Sequence, residues 1–151
     1  FCLKKVKDFA KALNYSFLLL KYRARSSSEI ISRLKRKKYS ISLIEKVVNY
    51  LQENNYLNDE DFTRLFVAWS LEKGWGPKRI DFNLKELGIP LKLREVSLGK
   101  IDYRQVIRET IKLKKAISSK FIRSLEAKGF DPEDITAEVE RFKSDDHSQI
   151  T

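Results

Sequence analysis

Apolar residues recur at spacings of three and four along most of the chain, with charged residues between them, which is the pattern of amphipathic helices rather than strands. Residues 8–22 place Phe9, Leu13, Phe17 and Leu20 on one stripe, with Lys11 and Lys21 off it. Ser26, Ser27 and Ser28 follow, and a serine before Glu29 supplies a helix N-cap. The helix expected from Glu29 to Lys37 has Ile30, Ile31 and Leu34 on one side and Arg33, Lys35, Arg36 and Lys37 on the others. A third begins near Ser40 or Ser42 and carries Ile44, Val47, Val48 and Leu51 inward until Asn54-Asn55 breaks the pattern. Asp59-Glu60-Asp61 places negative charge at the start of a fourth, whose expected buried stripe is Phe62, Phe66 and Trp69.

The stretch 73–91 then reads as a stop, a turn and a restart. Gly74 and Gly76 open the backbone, and Pro77 sits at the first position of a new helix, where its missing N–H costs nothing. Ile80, Leu84 and Leu87 carry that helix to Gly88 and Pro90, which end it. A short helix with Leu93, Val96 and Leu98 follows, then a segment from Asp102 to Lys115 with Val106 and Leu113 as its clearest apolar positions. Phe121, Ile122 and Leu125 mark the next helix, which Gly129 stops. Asp131-Pro132-Glu133 restarts the chain into a last stripe of Ile135, Val139 and Phe142.

These segments can be laid over one another. Ile30, Leu34 and Tyr39 match Ile80, Leu84 and Ile89, which match Phe121, Leu125 and Phe130; the residue before each closing position is Lys38, Gly88 or Gly129. The expected fold is all-α, built as three tandem three-helix repeats at residues 1–55, 56–100 and 101–143, with a disordered tail from 144 to 151. Repeats this small need their neighbours to complete a core, so an elongated, curved molecule is expected.

Charge changes the picture. The formal net charge is +10, and residues 1–50 hold 13 Lys/Arg against 3 Asp/Glu, so the whole excess lies in the first third. That asymmetry points to a polyanionic partner or to a merely solvated basic surface. Catalytic chemistry has little to stand on. One cysteine, Cys2, and one histidine, His147, make neither a disulfide nor a Cys/His zinc site, and no phosphate-cradling glycine motif occurs. No apolar run approaches the ~20 residues that a membrane-spanning helix needs. A cytoplasmic, monomeric, non-enzymatic binding protein without cofactor or metal is expected.

Two segments are more specific than the periodicity. Tyr56-Leu57-Asn58-Asp59-Glu60-Asp61-Phe62 and Lys73-Gly74-Trp75-Gly76-Pro77-Lys78-Arg79-Ile80 resemble the second-repeat motifs of the RecX family, bacterial regulators of the RecA recombinase. Arg25-Ser26-Ser27-Ser28-Glu29 in the first repeat and Lys128-Gly129-Phe130 in the third add to the likeness, which covers about residues 10–142. Lys38 departs from it, standing where a glycine is common.

The resemblance implies three tandem three-helix repeats, no enzymatic activity, and binding to RecA filaments on single-stranded DNA. Growth of the filament is thereby limited or its disassembly promoted, which restrains recombination and the SOS response. Single- or double-stranded DNA is a further expected ligand. The expected contact residues are Arg25, Arg33, Arg36, Lys37, Lys73, Trp75, Lys78, Arg79 and Arg123. The alternative is a general basic helical DNA-binding or architectural protein without a recombinase partner.

Overall fold

A computed structural model describes residues 2–148, and the described residues form nine helices and no strand. They are α1 (Cys2–Tyr22), α2 (Ser27–Arg36), α3 (Ile41–Glu53), α4 (Asp59–Glu72), α5 (Pro77–Glu86), α6 (Leu91–Gly99), α7 (Tyr103–Lys114), α8 (Ser119–Ala127) and α9 (Pro132–Ser148). The chain divides into two compact units. One holds the described residues up to Leu65 together with Leu84–Leu93; the other holds Phe66–Asn83 together with the described residues from Arg94 onward.

In the first unit α1, α2 and α3 pack against one another around Ala12, Leu19, Ile30, Leu34, Ile44, Val47, Val48 and Leu51, with Leu57 closing the cluster. Ile30 and Leu34 are wholly buried, which contributes about 1.5–3 kcal/mol each. Ser26 is the cap that the serine run predicts: its Oγ accepts from Glu29 N at 3.2 Å and its own N–H donates to Glu29 Oε2 at 3.1 Å, a complete capping box. Ser40 caps α3.

On α1 the interior face is rotated from the stripe that periodicity selects. Phe9, Leu13, Phe17 and Leu20 are half-buried, while Ala12, Ser16 and Leu19 face the core. Small residues let helices approach closely. Ser16 tolerates burial because its hydroxyl donates to the Ala12 carbonyl at 2.8 Å.

In the second unit α7 and α8 pack on α9 around Ile107, Ile111, Phe121, Leu125, Phe130, Ile135 and Val139. Three apolar expectations are corrected here. Leu113 is 85 % exposed and Val96 50 % exposed, whereas Ile107 and Ile111 fill the core and Arg94 is buried in α6. Arg94 is sheltered because its Nε donates to Asp81 Oδ1 at 2.8 Å. Trp69 is the third: it is 45 % exposed, and the buried residues of α4 that belong to this unit are Val67 and Ser70. The expected disordered tail is also corrected, since α9 continues to Ser148; residues 149–151 lie outside the described residues.

The ends of α2, α5 and α8 share one geometry, which the ends of α3 and α4 repeat. Lys38, Gly88 and Gly129 all have positive φ, at 63°, 78° and 98°. After each, the next N–H reaches back to the buried leucine five residues earlier: Tyr39 to Leu34, Ile89 to Leu84 and Phe130 to Leu125. This is the Schellman ending, in which a left-handed residue lets two backbone N–H groups satisfy the last carbonyls of the helix. Lys38 thus occupies a glycine's position at a cost in backbone strain.

Candidate functional site

In the first unit exposed cations lie along α1 and α3 as well as on and around α2, where the expected contact residues stand. Arg33, Arg36 and Lys37 are exposed, and Lys37 Nζ stands 5.0 Å from the centre of the Tyr15 ring. Arg25 is half-buried, and its Nε donates to the Leu19 carbonyl at 3.2 Å. Burial, followed by the neighbouring Arg23 charge, holds the Arg25 pKa below the usual arginine value. Arg23 is engaged differently, donating to both carboxylate oxygens of Glu29 at 2.6 and 3.2 Å. Its charge therefore completes the cap of α2, while Arg33, Arg36 and Lys37 have no ion pair among the described residues.

The second unit assembles Lys73, Trp75, Lys78 and Arg79 around the α4–α5 turn. α4 ends in the same way as α2: Gly74 takes φ 82°, its N–H donates to the Leu71 carbonyl at 3.0 Å, and the Trp75 N–H donates to Ser70 at 3.1 Å. Trp75 then meets Trp69 edge to face, with ring centres 5.2 Å apart at 83°. Phe66 supports Trp69 from 5.8 Å. A cation sits over each indole: Lys73 Nζ lies 5.6 Å from the Trp69 ring and the Arg79 guanidinium 4.0 Å from the Trp75 ring.

The start of α5 is positioned by backbone. Gly76 N donates to the Lys128 carbonyl at 2.7 Å and Lys78 N to the Gly129 carbonyl at 3.0 Å. A Cβ on Gly76 would overlap Gly129 and Phe130 backbone, and one on Gly129 would come within 2.6 Å of Arg79 N. Both positions therefore exclude side chains. The Gly76 and Lys78 N–H groups at the start of α5 are thus spent on protein carbonyls, which leaves the side chains as the main groups to meet an anion here.

The equivalent contact in the first unit joins Ser26 Oγ to the Leu87 carbonyl at 2.6 Å, with Gly88 pressed against Ser28. Ser26 stands eight residues before Leu34 and Gly76 eight before Leu84. The two contacts fall at matching positions, one donated by a serine hydroxyl and the other by a backbone N–H.

Arg123 is exposed on α8, where its Nε reaches the Ser119 carbonyl at 3.4 Å. The nine expected residues fall as four in the first unit and five in the second. Sequence reasoning missed Trp69 by assigning it to the core. A signal was present: each tryptophan is followed four residues later by a cation, Trp69 by Lys73 and Trp75 by Arg79. Lys128 was missed as well; its ammonium lies 3.8 Å from where a Cβ on Gly74 would stand. Among the described residues no group of His, Cys, Asp and Glu could hold a metal ion, and no helix is long and apolar enough to cross a membrane.

The described residues are all helical, and the candidate surface they present consists of cations and indoles. A family model described as RecX, first three-helix domain, matches residues 12–51. Regulatory protein RecX of Chlorobium limicola is 30% identical over 131 residues, covering 80% of this chain and 82% of that protein. Those of Lactobacillus gasseri and Bacillus velezensis are 29% and 30% identical over 98% and 95% of the chain, which spans 60% of the length of each. The crystal structure of RecX from Lactobacillus salivarius superimposes with a TM-score of 0.79 at 21% identity, over 91% of this chain and 98% of that one. A second RecX crystal structure gives 0.72 at 18% identity, over 90% and 75%. The chain belongs to the RecX family, a family of regulatory proteins rather than enzymes.

Proposed function

We propose that this chain is a negative regulator of the RecA recombinase that binds RecA filaments on single-stranded DNA and limits their extension or promotes their disassembly. Recombination and the SOS response are restrained as a result. The observation that carries this reading is a set of exposed cations without carboxylate partners among the described residues, in a chain of the RecX family: Arg33, Arg36 and Lys37 in one unit, Lys73, Lys78 and Arg79 in the other. Such cations keep their charge for phosphates or for acidic protein surface. Arg25 and Arg123 belong to the same proposal with backbone carbonyls as their resident partners.

The proposal includes three repeats, at 1–55, 56–100 and 101–143. What supports it is the recurrence of the Schellman ending and of the contact between the start of one second helix and the end of the next.

A titration of RecA-filament ATPase tests the function. The regulator suppresses turnover at concentrations well below those that coat the DNA. Suppression only at coating stoichiometry defeats the reading and leaves a general DNA-binding protein.

A further inference from the structure

We propose that Trp69, held by Trp75 and Phe66, is a stacking platform for bases of a single polynucleotide strand, with Lys73, Lys78, Arg79 and Lys128 as the cations that meet its phosphates. This names a ligand contact within the filament reading, on which it rests only for the source of the strand.

A strand without its complement offers two things at once, a row of negative phosphates and a series of unpaired π faces, and proteins that hold it combine cations with aromatic rings. The α4–α5 turn presents that combination. Trp69 is 45 % exposed although it is the largest side-chain type. Its indole is not loose: Trp75 abuts it edge to face at 5.2 Å and Phe66 lies at 5.8 Å. A ring already ordered in the free protein loses little further freedom when a base stacks on it.

The cations around the pair are equally available. Among the described residues, no carboxylate lies within ion-pair distance of Lys73, Lys78, Arg79 or Lys128. Of the nearby acidic groups, Asp81 is taken by Arg94, and Glu72 is an exposed neighbour of Lys73 in sequence. Lys73 and Arg79 rest over the indoles instead, where they keep their charge and can turn toward a phosphate as a base replaces them. The Gly76 and Lys78 N–H groups at the start of α5 are already bonded to the Lys128 and Gly129 carbonyls. Phosphate contact therefore rests mainly on the side chains.

Trp69 and Trp75 are the only tryptophans in the chain, so its intrinsic tryptophan emission reports this site alone. The full chain, without RecA, is titrated with an oligo-dT of about 16 nucleotides, a typical single-strand site size. The expected result is saturable quenching at moderate salt, with a duplex and an abasic oligomer of the same length quenching much less. Trp69→Ala weakens dT binding about tenfold, and Trp69→Phe, which keeps a ring, stays within about threefold. Far-UV circular dichroism confirms that both variants fold, and Trp69→Phe carries the test if the alanine variant does not. An oligo-rU arm separates the sources: tighter dT binding supports DNA, and tighter rU binding overturns that assignment.

Equal quenching by dT and abasic oligomers, or unchanged dT affinity in Trp69→Ala, overturns stacking. If the emission is silent to dT while filament ATPase is still suppressed below coating, this proposal falls and the filament reading stands. If both measurements fail, both fall.

Discussion

Two arginine-bearing surfaces of the second unit treat the same side chain in opposite ways. Between α7 and α9, Arg108 donates to both oxygens of Glu138 at 3.0 and 3.1 Å, and Arg104 donates to Asp134 at 2.8 Å. Around the α4–α5 turn, Arg79 lies over Trp75 and Lys73 over Trp69, with no carboxylate of the described residues within ion-pair distance. The first arrangement neutralises charge to join two helices, so that Glu138 can be buried at 4 % exposure. The second holds cations in place without neutralising them. A count of basic residues does not separate the two; only the partner does.

The comparison breaks most visibly at the backbone that delivers Arg79 to Trp75. Gly129 has φ 98° and no room for a Cβ beside Arg79 N. Gly129→Ala is expected to cost about 2–4 kcal/mol, combining backbone strain with overpacking, read as a lower midpoint of denaturant unfolding. A midpoint within error of the parent would show that the α8–α9 turn is not held against α5.

The charges themselves come next. Lys78→Ala with Arg79→Ala should weaken suppression of RecA-catalysed strand exchange about tenfold and reduce the slope of log affinity for single-stranded DNA against log salt by about 1.4, with unchanged far-UV circular dichroism. Unchanged inhibition would remove both from the site.

A smaller effect belongs to the paired surface. The hydrogen bond from Arg108, opposed in part by burial, holds the Glu138 carboxylate below the usual glutamate pKa. The folded pKa is the lower one, so the pair's contribution to stability is present above the unfolded pKa and disappears as pH falls through the folded value. Glu138→Gln is expected to lower the Tm at neutral pH, with the gap from the parent closing as pH drops below about 4.3. Strand-exchange inhibition should not change. A gap that stays constant through that range would mean the ion pair is not what the substitution removes.

The smallest effect is expected at Leu113, on α7 but 85 % exposed. Leu113→Ser should change stability by less than about 0.5 kcal/mol, against about 2–5 kcal/mol for Ile111→Ala on the same helix. Equal losses at the two positions in urea unfolding would contradict the facing of α7.

Helix boundaries were the most legible feature, because their causes are local. Ser26, Ser40, Asp102 and Asp131 cap with side chains that reach only two or three residues, and Gly74, Gly88 and Gly129 permit the left-handed turn wherever they stand. Lys38 was legible only through its neighbours, since nothing in a lysine announces a positive φ. The all-helical class followed from periodicity alone.

Facing was less legible. Ala12 and Ser16 are weak signals beside Phe9 and Phe17, and they are buried because close helix packing favours small residues. Leu113 looks apolar enough for a core that Ile107 and Ile111 already fill. Trp69 was assigned to the interior by its chemistry, and nothing in the sequence marked Arg94 as a buried residue. Each was placed by one partner distant in sequence or brought close by a turn: Trp75 against Trp69, and Asp81 against Arg94.

By itself, then, the amino-acid order determined where most helices begin and end, the start of α1 and the end of α9 excepted, that the chain is all-helical, and which residues carry positive charge, because caps, glycines and spacing act over one or two turns. The tertiary structure decided which cations are neutralised by carboxylates and which stand over rings. It also turned Trp69 from a core residue into the exposed half of an indole pair, because ion pairing and burial depend on what another segment brings within a few ångströms.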